Sequence, residues 1–99
     1  MTSLPTAAPT SLSITRYGGT YIGLSWIPSP DLTVINFQLS YRVNGSNQLP
    51  SNVSTNGYTT FFIIGGLEPN TTYEITIAAE NPLGFGPEST PIFIQTCKL

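Results

Sequence analysis

The stretch Leu67-Glu68-Pro69-Asn70-Thr71-Thr72-Tyr73 constrains this chain more than any other. A leucine, a proline-centred corner and a tyrosine open a run in which Tyr73, Ile75, Ile77 and Ala79 recur at every second position. That spacing puts the four side chains on one face of a β-strand and Glu74 and Glu80 on the other. The chain therefore leaves one sheet near Leu67, turns sharply on Pro69, and enters another sheet with Tyr73 held at the bend. This is an instruction about architecture and carries no chemistry of its own.

The same alternation recurs on both sides of the corner. Thr10 to Arg16 sets Leu12 and Ile14 on one face, and Pro5 and Pro9 before it suit an edge strand, whose outer donors need no partner. Thr20 to Ile27 turns Ile22, Leu24 and Trp26 to one side and Tyr21, Gly23, Ser25 and Ile27 to the other, until Pro28-Ser29-Pro30-Asp31 stops it. Ile35, Phe37, Leu39, Tyr41 and Val43 form the longest alternating series, which predicts a central strand. Asn44-Gly45 is a hairpin signal, and the polar Ser46 to Asn56, with Pro50, can hold only a short edge strand. Asn56-Gly57 turns again into Thr59 to Gly65, with Phe62 and Ile64 on one face and Phe61 and Ile63 on the other. Past the Tyr73 strand, Asn81 to Pro87 reads as a Gly/Pro loop and Pro91 to Cys97 as the last strand. Seven short antiparallel strands with turns between them predict an all-β sandwich over residues 10–97, after a linker-like extended segment at 1–9.

Charged residues make up only 8% of the chain, which raises the alternatives of disorder or a membrane. Plentiful, periodic apolar residues speak against disorder. The longest aliphatic-aromatic run, Phe61 to Ile64, is a small fraction of the roughly 20 residues a span needs. With Arg16, Arg42 and Lys98 the only cations and a net charge of −2, no basic face is available for nucleic acid. Met1 to Pro9 has neither the basic start nor the apolar centre of a signal peptide, and Met1 reads as an added start on an excised piece. The single cysteine, Cys97, forms no disulfide within this chain; it is either a small inert residue or the partner of a cysteine outside it.

Chemistry finds few residues to work with. Without histidine, Ser–His and Cys–His arrangements are unavailable, and zinc and copper sites have no ligand set. Glu74 and Glu80 share a strand face but lie six residues apart, roughly 20 Å at strand rise. That is too far for a carboxylate pair. Asp31, Glu68 and Glu88 fall at loops or corners and read as solvated surface acids. No catalytic residue, no metal site and no cofactor is expected.

With the strands placed, the chain resembles a fibronectin type III domain from about Pro9 to Thr96. The residues that carry the resemblance are Pro9, Leu12, Trp26 with Pro28, and Phe37-x-Leu39-x-Tyr41, followed by Leu67-x-Pro69-x-Thr71-x-Tyr73, Ala79-x-Asn81, Gly84-x-Gly86 and Ser89. The resemblance implies an immunoglobulin-like sandwich with three strands on four. It makes Trp26 the centre of the core and Leu67, Pro69 and Tyr73 a structural corner, with the Tyr73 hydroxyl bonded to backbone near the turn before it. Phe37 stands where the family often has tyrosine. The resemblance also implies a non-catalytic extracellular spacer and protein-interaction module. Such a module would be one repeat of a larger adhesion protein or cell-surface receptor. A second reading is an accessory spacer of a secreted carbohydrate-active enzyme. Its expected partners are a protein or neighbouring domains of the same chain, and the isolated domain is expected to be a monomer.

Three sets of residues remain as candidate contacts. Asn44, Asn52 and Asn70 each begin an Asn-x-Ser/Thr sugar-acceptor triplet, although seven asparagines among so many Ser and Thr would give about two by chance. Leu83 and Phe85 lie in the loop where the family often carries Arg-Gly-Asp, a tripeptide this chain lacks. They are either exposed contacts, or Phe85 folds back while Gly84 and Gly86 shape the turn. Phe61 and Ile63 face outward beside Tyr21 and Ile27, within a stretch, Val43 to Leu67, that has no charge. They are either a partner-contact patch or ordinary scattered surface apolars.

Overall fold

The structure is a computed structural model that describes residues 3–28 and 30–99; Met1, read above as an added start, and Ser29 of the Pro28 to Asp31 stop lie outside them. Its strands are β1 (Thr10–Tyr17), β2 (Ile22–Ile27), β3 (Asn36–Val43), β4 (Ser51–Asn56), β5 (Phe61–Ile64), β6 (Thr72–Asn81), β7 (Gly84–Glu88) and β8 (Ile92–Gln95). β1-β2-β5 form one antiparallel sheet, and β4-β3-β6 form the other, with β7 and β8 both on the far edge of β6. β8 pairs with Thr72 to Ile75 and β7 with Ala78 to Asn81, so the two short strands share one lane. Three lanes face four, as the alternation and the resemblance lead one to expect.

The count of eight strands instead of seven arises in that last lane. The stretch expected as a loop, Asn81 to Pro87, is a tight turn followed by β7, and the expected last strand shortens to β8. Pro87 and Pro91 have no backbone donor to offer β6. Between them the side chain of Ser89 substitutes for backbone: Ile77 N–H donates to Ser89 Oγ at 3.0 Å, while Ser89 N–H donates to the Ile77 carbonyl at 2.8 Å. One lane is therefore interrupted without being lost.

Between the sheets lie Ile22, Leu24 and Trp26 from β2, Phe37 and Leu39 from β3, Ile64 from β5, and Tyr73, Ile75, Ile77 and Ala79 from β6. Trp26 meets Phe37 edge-on, with ring centroids 5.8 Å apart. Leu12, Ile14, Phe62, Tyr41 and Val43 pack against this cluster from its margin. One member of the expected inward series is misplaced: Ile35 is half exposed, because β3 begins only at Asn36 and the residue before it sits on the loop side of the pairing. The segment read as linker-like lies against the sandwich from residue 3 on. Pro5 and Pro9 are buried, and the Ser3 carbonyl accepts a hydrogen bond from Asn81 Nδ2 at 2.6 Å.

Candidate interaction surface

The corner comes first, since it fixes where every candidate contact points. Leu67 N–H donates to the Thr20 carbonyl at 2.9 Å, joining the end of β5 to the entry of β2. Glu68 N–H donates to Tyr73 Oη at 2.8 Å. Asn70, at φ +52°, donates its N–H to the Cys97 carbonyl, and Thr71 N–H donates to Thr96 Oγ1 at 3.0 Å. Thr96 Oγ1 in turn donates to the Glu68 carbonyl at 2.6 Å. Every backbone donor from Leu67 to Thr71 thus has a partner, as a bend lying against the core requires. Buried Thr96 is the member of this network that the sequence does not announce.

The ionisable groups are dispersed. Arg42 and Glu74 pair at 3.4 Å across β3 and β6, and Glu80 accepts from Asn36 Nδ2 at 3.0 Å. Among the described residues, no three His, Cys, Asp or Glu side chains gather to hold a metal. Asp31 is held by its neighbour Thr33. Its pKa is lowered, first by the Thr33 hydroxyl at 2.6 Å and then by the Thr33 backbone N–H at 2.9 Å. A depressed folded-state pKa favours folding above the unfolded value, and that contribution fades as the pH falls through the folded one. Carbon-detected NMR titration of Asp31 should therefore give a midpoint below that of an unstructured aspartate, and Thr33→Val should raise it.

On the three-lane sheet, Phe61 lies opposite Ser25 and Ile63 opposite Gly23. Both point away from the core, 42% and 41% exposed, with Tyr21 just before β2 and Ile27 at its end also exposed. Gly23 leaves a shallow seat beside Ile63 that the Arg16 stem occupies: a Cβ built on Gly23 would meet Arg16 Cγ at 2.8 Å. The outer face of this sheet thus sets Phe61 and Ile63 beside Ser25, Thr15 and the Arg16 stem. Phe61→Thr with Ile63→Thr, both strand-compatible, should change unfolding free energy by less than about 1 kcal/mol. Urea denaturation checks this.

The pole at the Asn81 end gathers a second group. Asn81 is buried and joins three segments: Oδ1 accepts from Leu83 N–H at 3.0 Å, while Nδ2 donates to the Ser3 carbonyl and to Thr33 Oγ1. Leu83 projects from this turn and Phe85 from β7 opposite Glu80, 58% and 44% exposed. Two more apolar side chains stand nearby that the sequence reading passed over. Leu32 and Tyr58 are almost wholly exposed and line a concavity of about 460 Å³ with Pro28, Ile35 and Gly57. A signal for them existed, since both belong to Asx-type turns: Leu32 sits in the middle of the one closed by Thr33 N–H on Asp31 Oδ1, and Tyr58 closes the other by donating its N–H to Asn56 Oδ1. Gly86 holds the N-terminal segment to this pole: a Cβ there would lie 2.5 Å from the Pro5 carbonyl oxygen. Gly86→Ala should cost about 1–3 kcal/mol by overpacking and make residues 3–9 more susceptible to limited proteolysis.

All three acceptor asparagines are exposed. Asn44 sits in the turn closed by Ser46 N–H on the Val43 carbonyl. Asn52 lies on β4, its Oδ1 accepting from Ser40 Oγ at 2.8 Å, and Asn70 at the corner accepts from Gln95 Nε2 at 3.1 Å. Cys97 is exposed just past β8 and is a free thiol.

A model of the fibronectin type III domain matches residues 7–95. The chain belongs to the fibronectin type III family. Human Target of Nesh-SH3 is 32% identical over 97 residues, which cover 96% of this chain and 9% of that protein. Receptor-type tyrosine-protein phosphatase F of Danio rerio is 34% identical over 91 residues, 89% of this chain and 5% of that protein. The crystal structure of the chicken CNTN1 FN1–FN3 domains superposes with a TM-score of 0.89 at 29% identity, covering 95% of this chain and 32% of that one. The chain thus spans 9% or less of the length of the two curated relatives. Leu67, Tyr73 and Trp26 of this fibronectin type III domain are buried, while Phe61, Ile63, Leu83 and Phe85 are exposed.

Proposed function

We propose that this fibronectin type III domain is a non-catalytic extracellular module that spaces its neighbours and offers a protein-contact surface, as one repeat of a larger adhesion protein or cell-surface receptor. The observation that carries the reading is the family match over residues 7–95 joined to relatives many times longer, among them receptor-type phosphatases. The geometry supports a spacer. Ser3 is tied to Asn81 at one end of β6, while Cys97 is tied to Asn70 and Gly18 at the other, so the chain enters and leaves the sandwich at opposite poles. No helix among the described residues is long and apolar enough to cross a membrane. The contact surface is the strip around Phe61 and Ile63, with Leu83 and Phe85 as a second group, and its partner is a neighbouring domain or another protein. No observation favours the accessory module of a carbohydrate-active enzyme. An antibody raised against the folded domain should stain intact cells that make the native protein. Staining only after permeabilisation would overturn the extracellular placement.

A further inference from the structure

We propose that an N-linked oligosaccharide on Asn52 shields the open edge of β4, the one sheet edge longer than four residues whose register runs unbroken. An unpaired strand edge is a template for another chain, and proteins blunt it with charge, proline, bulges or brevity. β1 has two register breaks, a residue at φ +56° (Ser11), and Arg16. The β7–β8 lane is interrupted, contains Pro87 and Glu88, and is bulged against β6. β5 is four residues long. Pro50 guards only the entry to β4: its six residues, Ser-Asn-Val-Ser-Thr-Asn, contain no charge, proline or bulge and run in unbroken register with β3 from Asn36↔Asn56 to Tyr41↔Ser51. β1 and the β7–β8 lane adjoin along one flank, where residues 8–12 and 87–92 line a common concavity, so β4 and β5 share the other. That flank is built from the one long stretch without charge, and its Tyr58 to Ile64 run has the composition of a pairing-prone segment.

Asn52-Val53-Ser54 lies at the middle of this edge. Val53 pairs with buried Leu39 and faces inward, which sends Asn52 and Ser54 to the outer face. The bond from Ser40 Oγ turns Asn52 Oδ1 toward β3 and leaves Nδ2 on the other side of the carboxamide. Modification joins Nδ2 to C1 of the first sugar of a lipid-pyrophosphate-linked oligosaccharide. The C1–O bond breaks, the lipid pyrophosphate leaves with that electron pair, and one Nδ2 proton is lost. The proposal rests on the extracellular reading, so the test places a secretion signal ahead of the chain and fails independently of where the native protein resides.

Peptide mapping of the folded chain secreted from a glycosylating host should find sugar on Asn52; an unmodified Asn52 overturns the site. In sedimentation velocity the sugar-bearing chain should be the monomer expected of the isolated domain, whereas the bare chain from a bacterial host should depart from that expectation and shift to larger species as its concentration rises. Ser54→Lys, which destroys the triplet and puts a cation on the same edge, should stay monomeric without sugar. A bare chain that stays monomeric overturns the shielding role. A Ser54→Lys chain that associates as strongly as the bare chain also overturns it, and moves the contact to another face such as Phe61 and Ile63.

Discussion

Trp26→Ala is expected to destabilise the domain by about 3–5 kcal/mol, the range for removing a large aromatic from a packed core. Trp26 is 3% exposed, touches Phe37 edge-on, and pairs its backbone N–H with the Thr60 carbonyl, so it joins the end of β2 to the approach to β5 in its own sheet and to β3 in the other. Domains of this kind hold about 5–15 kcal/mol in total, so the loss brings this one close to unfolding. The indole Nε1 has no acceptor among the described residues, so the loss is packing, not hydrogen bonding. Trp26→Phe, which keeps a ring against Phe37, should cost clearly less than alanine. Urea unfolding followed by far-UV circular dichroism checks both, since the substitution removes the only tryptophan reporter. The midpoint should fall with the slope unchanged.

The second large effect lies at the corner. Thr96→Val keeps the shape of a side chain that is 2% exposed but leaves Thr71 N–H and the Glu68 carbonyl without their partner. Orphaning these part-buried polar groups should cost about 1–3 kcal/mol. Tyr73→Phe removes only the acceptor of Glu68 N–H and should fall at the lower end of that range, because Glu68 is itself exposed and its amide can find water. The two substitutions act on the two sides of one residue: Tyr73 holds the Glu68 amide and Thr96 its carbonyl. A double-mutant cycle by urea denaturation should therefore be non-additive by about 0.5 kcal/mol or more, as for groups in one network.

Much of this was legible because strands encode their faces locally. Phe61 and Ile63 were placed outward, and Ile22, Leu24, Trp26 and Ile64 inward, from parity alone, since a one-residue slip would reverse every side chain. The corner was legible because Pro69 and Tyr73 act within a few residues of each other. What escaped the sequence depends on distant partners. Ile35 continues the alternation by spacing, yet β3 starts one residue later, where Ile35 N–H reaches the Glu80 carbonyl and the chain bends into a loop. Thr96 resembles any strand-end threonine until the Leu67 to Tyr73 bend folds over it. The packing of residues 3–9 depends on Gly86 and Asn81, some 80 positions along the chain, and no local pattern announces it. Leu32 and Tyr58 escaped for the opposite reason: periodicity is blind inside turns.

The scaffold centred on the Leu67 to Tyr73 corner is distinct from the contact surface proposed around Phe61 and Ile63. Hydroxyl-radical footprinting tests that division most directly, by comparing side-chain oxidation in the isolated chain with that in the full-length protein. Tyr73 and Trp26 should be protected equally in both, while Phe61 and Ile63 should be oxidised readily in the isolated chain and protected in the full-length protein. Equal oxidation of Phe61 and Ile63 in the two would contradict the assignment of that face as the contact surface.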